Sequence, residues 1–485
     1  MIDTEALRKK VIELAIQGKL TEQLPSDGDA ETLYAQIQAQ KSHLIKEGMI
    51  KKDKALPDIA AAEIPFEIPK NWKWVRAGSV LRVINGTSYD KGDVSDKGIR
   101  ILRGGNIQYS KVFYFKDDVF ISESYEDEEK KVKENDVLIV ASTGSSTGIG
   151  KSGVVESTDD NTQIGAFLRI IRAHSPYISK YIDVYFMSDL YRSKIRDLAK
   201  GMNINNIKES YITEMLLPLP PLEEQKRIVK RLNDAFEYIG SIENLQAKYS
   251  NDIAVLKSKI IDAGIRGKLT EQLPEDGNAE DLYAQILNQK SQLIKEGKIK
   301  KEKPLPDITA DEIPFEIPKN WKWVRLASVY EINPRVEADA ETMAAFIPME
   351  KISQGYLRDF TYDEQKWSIA SKNHTKFQDD DVAFAKISPC FENRKSFIAK
   401  ELPNGIGGGT TELIILRQKA ILPEYTYYLI TSQRFIDAGS MSYKGIVGQQ
   451  RIKSDVVNSF LVPLPPYAEQ KRIVEKIEAI MEQLN

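Results

Sequence analysis

Apolar residues recur at three- and four-residue steps through Val229, Leu232, Phe236 and Ile239, and again through Ile242, Leu245, Tyr249, Ile253, Leu256 and Ile260. This alternation, with one slip between Ile239 and Ile242, predicts a helix that carries a coiled-coil stripe. From Leu222 to about Arg266, at 1.5 Å per residue, it would span roughly 66 Å, a length suited to a spacer. The alternative is a plain helix packed on one domain. Pro220 and Pro221 suit its start, and Glu223 and Glu224 occupy its first turn, where the helix dipole favours anions. A shorter amphipathic pattern at 30–47, with Leu33, Ile37 and Leu44 on one face and Gly48 behind it, predicts another helix, repeated at 279–296 before Gly297. Short β-rich runs predict strands: VLIVAS after Asp136, Val154-Val155, LRIIR after Phe167, VAFAKI after Asp381 and LIILR after Glu412. Helical stretches follow near Pro176–Leu198 and Pro423–Asp437. The proline-punctuated EIPFEIPK segments (63–70 and 312–319) cannot be helical and read as extended straps that dock Trp72 and Trp74, or Trp321 and Trp323, as core.

The chain repeats itself. Residues 17–80 recur at 266–329 without a gap, with about 50 of 64 positions identical. PLPPLEEQKRIV from Pro218 returns as PLPPYAEQKRIV from Pro463, at a different offset. LRKKVIELAIQGKL from Leu7 is echoed by LKSKIIDAGIRGKL from Leu256. The central segment thus holds both an EEQKRIV start and an IRGKL end, whereas the other copy is split between Tyr467–Asn485 and Thr4–Gln17. A pseudo-twofold relation would bring the chain ends together to mimic the central segment, leaving 241–249 unmatched. Between the repeats, residues 81–211 and 330–455 show almost no resemblance, and each is large enough for an independent domain.

Composition narrows the classes. At 485 residues, 41% hydrophobic and 29% charged, the chain is too long for one core and too apolar for disorder. No stretch approaches the ~20 apolar residues of a membrane helix, and no signal segment opens the chain, so a cytoplasmic location and no membrane partner are expected. The single Cys390 and the scattered His43, His174 and His374 give no metal-ligand spacing. A net charge of −3 excludes a general polyanion trap, and so do the near-balanced charges of both inserts.

Several motifs fail on their context. Gly148-Ile-Gly150-Lys-Ser-Gly153 matches a dinucleotide fingerprint, but no helical pattern follows to hold a pyrophosphate, and the P-loop spacing is off by one. The loop remains suited to approach a DNA backbone, with Lys151 as its charge. Leu464-Pro-Pro-Tyr467 lacks the Asn or Asp of an amino-methyltransferase, and Asn333-Pro-Arg-Val336 lacks the second proline and the aromatic residue. Gly407–Gly409 lacks a P-loop lysine. Glu224-Gln-Lys226 and Glu469-Gln-Lys471 lie in predicted helices without the Pro-Asp strand of a nuclease. No catalytic constellation survives.

The duplicated PLPPxxEQKRIV at 218–229 and 463–474, the paired GKLTEQLP and LIKEGxIKK stretches, and the NWKWVR at Asn71 and Asn320 resemble the specificity (S) subunits of type I restriction–modification systems along essentially the whole chain. The resemblance implies an α+β fold: two α/β target-recognition domains joined by long antiparallel coiled-coil spacer helices, with a pseudo-twofold internal repeat. It implies an N-terminal helix completing the second spacer (1–20), a helix and strap (21–70) and a first recognition domain (71–217). A central spacer helix (218–266), a repeated helix and strap (267–319), a second recognition domain (320–462) and a C-terminal helix (463–485) follow. It further implies a non-catalytic subunit, with each recognition domain reading half of a bipartite, asymmetric double-stranded DNA site; the alternative is a coiled-coil scaffold that assembles partners without reading DNA sequence. Two methyltransferase subunits would dock on the helices, for which Leu232, Phe236, Leu245, Leu256 and Ile260 are the candidates, and two motor-nuclease subunits would join for cleavage. No cofactor is expected on this chain; S-adenosylmethionine, ATP and Mg would belong to the partners. Base contacts cannot be carried over, so candidates rest on side-chain chemistry in Gly/Ser-rich loops. They are Thr87, Ser88, Tyr89, Arg103, Asn106, Ser145 and Lys151 in the first insert. In the second they are Lys386, Arg394, Lys395, Lys444, Gln449, Gln450 and Arg451. Asn205–Lys208 aligns with Gln450–Lys453, which would equally mark a shared cap ahead of the PLPP strand.

Overall fold

In the computed structural model, which describes residues 1–52, 54–145, 147–159, 161–199, 205–299, 304–443 and 450–484, the repeated KWVR and PLPP segments find each other. Lys73–Arg76 pairs antiparallel with Leu216–Leu219, and Lys322–Arg325 with Leu461–Leu464. Each ribbon clamps together the start and the end of one insert. The chain divides into two units, Met1–Ala247 and Lys248–Asn485, each mixing helix and sheet. Leu222–Ile265 is one uninterrupted helix of 44 residues, as its stripe predicts, with its first part in the first unit and its last part in the second.

Each unit pairs that helix with a terminal one. In the first unit Thr4–Ile16 runs antiparallel to it: Ile2 N–H donates to Gln246 Oε1 (2.6 Å), Arg8 donates to Glu243 (3.0 and 3.2 Å), and Ile12, Ala15 and Ile16 join Ile228 and Leu232 in the core. In the second unit Ile260, Ile261 and Ile265 pack with Ile473, Val474 and Ile477 of the helix Tyr467–Glu482. Gly264 permits this approach, since a Cβ there would lie 2.8 Å from Ile477. The stripe therefore does not face one partner. Leu232 and Ile260 are core residues of the two units, a correction to their assignment as docking residues; Phe236 is half-buried with Arg8 stacked on its ring, and Leu245 and Leu256 stay exposed.

A polar clasp fixes the helix start in each unit. Glu224 is fully buried, and its carboxylate accepts the Trp72 indole N–H (2.7 Å), Gln23 Nε2 (2.8 Å) and Thr21 Oγ1 (3.1 Å). Glu469 repeats this with Trp321 (2.7 Å), Gln272 (3.0 Å) and Thr270 (3.1 Å). A buried carboxylate needs such donors to replace its hydration, and the positive end of the helix dipole adds to them. One turn further on, Arg227 makes a two-pronged ion pair with Asp27 (2.6 and 2.7 Å), and Arg472 does so with Asp276 (2.6 Å for both prongs). The straps lie as expected, with Phe66 edge-on to Trp74 and Phe315 to Trp323.

The inserts, unlike in sequence, share a frame. The first is built on an antiparallel order 81–85, 168–173, 137–140, 152–154, extended by 111–112 and 107–108; the second has 331–332, 413–417, 382–385, 396–398. A second sheet in each carries a parallel pair, 99–102 with 162–164 and 343–347 with 406–409. The helical stretches are each two helices, 179–187 and 189–199, then 423–431 and 433–440. Ser188 and Ser432 stand at the breaks, and each hydroxyl accepts from an N–H of the following turn (3.4 Å in both). Buried Asp136 is gripped by Arg172 (2.8 and 2.7 Å), and buried Asp381 by Arg417 (2.7 Å for both prongs). Both pairs stand 245 residues apart, the offset of the PLPP repeat, so the near-absence of resemblance between the inserts is corrected: a sparse internal signal is present.

Glu224→Ala takes their acceptor from the Trp72 indole and the Thr21 hydroxyl, while Gln23 keeps Gly18 O and Thr21 O, and is expected to cost the first unit about 3 kcal/mol, read as a lower urea midpoint; Glu469→Ala should act on the second unit. Arg227 holds the Asp27 carboxyl below the ordinary range, as Arg472 does Asp276. Such depressed carboxyls stabilise the fold above their unfolded pKa, near about 3.9, and that contribution is lost as pH falls through the folded value. Urea titrations at a series of pH values should therefore show stability falling less steeply below about pH 4 in an Asp27→Asn/Asp276→Asn variant than in the parent chain.

Candidate nucleic-acid interface

In each insert one loop-bearing edge is assembled from segments distant in sequence. In the first, Thr87 bridges Gly165 in parallel and its N–H donates to Ile164 O (2.7 Å). Phe167 O accepts from Ala141 N–H (2.8 Å), and Ala141 O accepts from Ile207 N–H (2.7 Å). Ser142 pairs with Asn206. Gly86 is required at this crossing, because a Cβ would fall 2.1 Å from Gly165 O. The second insert repeats the scheme: Ile387 pairs with Arg451, and Ile452 N–H donates to Lys386 O (3.0 Å). The segments before the PLPP strands are thus held against the turn that follows the central strand. They also lead into short helices at Glu209–Thr213 and Ser454–Ser459, whose starts at Lys208 and Lys453 carry no side-chain cap.

The edge gathers some expected residues and withdraws others. Ser88, Arg103 and Ser145 are exposed, Lys151 is half-buried, and the Arg103 stem lies beside Gly165. Thr87 is buried and its hydroxyl donates to Gln163 Oε1 (2.9 Å). Asn106 is buried too: its amide donates to Asp118 (2.6 Å) and Phe113 O (2.9 Å), and its oxygen accepts Arg103 N–H (2.8 Å). Both are internal turn clasps. Tyr89 packs on the Ile99, Ile101 and Ile121 cluster. In the second insert Arg394 donates to Thr431 O (2.9 Å) and stacks on Tyr356, while Lys395 donates to Met349 O (2.7 Å), so both cations are engaged internally. Arg451 is exposed but forks onto Glu412 (2.7 and 2.8 Å) and holds that carboxyl below its usual range. Gln450 is half-buried, and its carbonyl accepts Ser388 N–H (2.8 Å). Lys444 and Gln449 lie outside the described residues.

Lys386 opens onto a cleft of about 420 Å³ that sequence reasoning missed; Arg335, Lys376 and Thr411 line it with Asn333 and one carboxylate, Glu337. Asn333 locks the cleft wall to the sheet, its N–H donating to Ile415 O (2.8 Å) and its Oδ1 accepting Ile415 N–H (3.0 Å). Three cations around a polar recess suit a phosphate or the acceptor edge of a guanine. The first insert offers at its edge Phe167, 69% exposed. The Gly148–Gly153 loop turns directly into the strand Ser152–Val154, so no helix N-terminus stands there for a pyrophosphate. Among the described residues no group of three metal-ligating side chains is present, and no helix is long and apolar enough to cross a membrane.

A model of the family described as type I restriction modification DNA specificity domain matches residues 69–248 and 318–485. The specificity subunit of type I restriction enzyme EcoAI from Escherichia coli is 39% identical over 232 residues, 47% of this chain and 39% of that protein. The chain thus spans about two fifths of the length of the first curated relatives it matches. The EcoKI specificity subunit of Escherichia coli strain K12 is 26% identical over 427 residues, covering 85% of this chain and 83% of the relative. A solved structure described under complex assembly and conformational transition of the type I R-M system superposes with a TM-score of 0.54 at 18% identity, over 87% of this chain and 92% of that one, a likeness of fold.

Replacing Arg335, Lys376 and Lys386 together with alanine is expected to lower the slope of log Kd against log salt for duplex binding by about 2. Arg394→Ala should leave that slope unchanged and lower stability instead, as read by duplex titration beside thermal melting.

Proposed function

Since the chain belongs to the family of the type I restriction modification DNA specificity domain, we propose that it is the non-catalytic subunit that gives a type I restriction–modification complex its DNA sequence specificity. Each unit presents one loop edge to double-stranded DNA, and the two edges read the two halves of a bipartite, asymmetric site. One observation carries this reading: two inserts share the same internal ion pairs, Asp136–Arg172 and Asp381–Arg417, yet present unlike edges, the exposed Phe167 with a Gly/Ser loop on one and the cleft at Lys386 on the other. A common scaffold with unlike edges is what two different half-sites held in equivalent poses require, whereas identical edges would give a palindrome.

The finer assignments rest on side-chain chemistry and, where described, on exposure at the edges. Ser88, Arg103, Ser145 and Lys151 are the contacts we favour in the first unit. In the second they are Lys386, Gln450 and Arg451, with Arg335 and Lys376 added and Lys444 and Gln449 kept on their side-chain chemistry. The long helix acts as the spacer, and its exposed Leu245 and Leu256 serve to dock two methyltransferase subunits. These bring S-adenosylmethionine and flip the target base, and two motor-nuclease subunits with ATP and Mg complete the complex in the cytoplasm. Balanced charge in both inserts supports weak binding by the chain alone.

The test is long-read detection of modified bases in DNA from cells that express this chain with its neighbouring methyltransferase gene, beside controls lacking either. A bipartite methylated motif is expected only when both are present, and exchange of residues 81–211 for another insert should change one half-site alone. Co-purification of the two proteins without any motif would overturn the reading. In vitro, tight sequence-selective binding at physiological salt is expected only with the methyltransferase added.

A further inference from the structure

The two units treat one corresponding groove in opposite ways. In the first unit a recess of about 700 Å³ lies between the start of the helix Ser179–Met187 and the first turns of the long helix, walled by Tyr177, Lys180, Leu222, Val229 and Lys230. Its counterpart follows from shared anchors: Tyr181 donates to Pro218 O (2.7 Å) and Tyr425 to Pro463 O (2.9 Å), while Gln225 and Gln470 donate to Pro220 O and Pro465 O (2.8 and 3.0 Å). There the second unit's own chain enters. Arg358 forms an ion pair with Glu478 (2.8 Å), lies over the rings of Tyr427 and Tyr428 (6.0 and 5.9 Å) and acts on the Glu424 carboxyl. It is delivered by a longer loop. Ile352 bridges Phe360 across seven residues, where Ile107 pairs with Val112 across four, and that shorter hairpin ends at the exposed Tyr109.

The acidic positions around Arg358 are replaced in the first unit. Glu424 and Glu478 correspond to Lys180 and Asn233, and Glu475, one turn before Glu478, corresponds to Lys230, which pairs with Asp234 of the same recess (3.0 Å). Lys180 is exposed and has no ion-pair partner among the described residues. Gln470 Oε1 accepts Leu422 N–H (3.0 Å), whereas Gln225 Oε1, at the base of the open groove, is buried without a donor. We propose that the groove of the first unit is the docking site for an acidic peptide segment of a protein partner, supplying in trans, with reversed charge, what Arg358 supplies in cis. Apolar walls and an acceptor that lacks a donor favour a peptide, which brings apolar side chains and N–H groups, over a DNA phosphate, which brings neither. The groove's chemistry does not depend on what the loop edges bind.

The probes are two labelled peptides with the sequence Ser353–Phe360, one unaltered and one with Arg358→Glu, titrated against the full chain by fluorescence polarisation. The acidic peptide is expected to bind at least about tenfold more tightly than the unaltered one, and Lys180→Glu/Lys230→Glu in the full chain to reverse that order. The positions of both lysines on exposed helix surface keep the variant folded, which circular dichroism checks. Equal binding of the two peptides, no binding of either, or a preference untouched by the charge reversal would overturn the proposal. Displacement of the acidic peptide by a random-sequence duplex would overturn it as well and assign the groove to nucleic acid.

Discussion

A buried carboxylate whose hydrogen bonds come from neutral donors, Glu224 in one unit and Glu469 in the other, is the constraint on which the architecture turns. Each must collect its donors from elsewhere in the chain, and it takes an indole N–H from the segment that opens the insert and two side-chain donors from the turn after the GKL motif. Helix start, strap and insert are therefore set at fixed angles by one satisfied group. Loss of any donor would leave a charge in a medium that cannot solvate it. The identical arrangement 245–249 residues apart makes the two units presentations of one joint, from which different inserts can hang without disturbing it.

Inside the inserts the same economy recurs at the level of the sheet. Asp136 and Asp381 each cap their own turn, accepting Lys133 and Gln378 N–H (2.7 and 2.8 Å), and grip an arginine on the neighbouring strand. Burial pushes the Asp381 carboxyl up against the pull of Arg417, so the pair is held by its geometry more than by charge alone. Everything outside this ladder is free to vary, and it does: an exposed aromatic residue and a Gly/Ser loop on one edge, a cationic cleft on the other.

The candidate interface was legible in the sequence by region and poorly by residue. Gly/Ser-rich turns did mark the edge, and the 245-residue alignment of Asn205–Lys208 with Gln450–Lys453 did find the segment that completes it. Polar residues chosen within those turns were divided by packing. Thr87 and Asn106 serve their own loops, since a short polar side chain in a turn is as apt to satisfy nearby backbone as to meet a ligand. Arg394 and Lys395 are spent on carbonyls of other segments. Arg335 and Lys376 escaped notice because one sat in a motif read only for methyl transfer and the other in an unremarkable strand; nothing local says that both border the recess at Lys386.

By itself the sequence determined the duplicated joint, the 44-residue helix and the most apolar strands of the inserts, 137–140, 168–173, 382–385 and 413–417, because these follow from periodicity, proline placement and repetition, which are local or self-referential signals. Tertiary structure alone decided which stripe residues became core, that unlike inserts share one ladder, and which polar side chains reach solvent. It also decided that Arg358 fills a groove in one unit while lysines line its counterpart in the other. Those outcomes depend on hydrogen-bond and charge partners scores of residues away, and a donor's partner is fixed by where the chain returns, which no local pattern encodes.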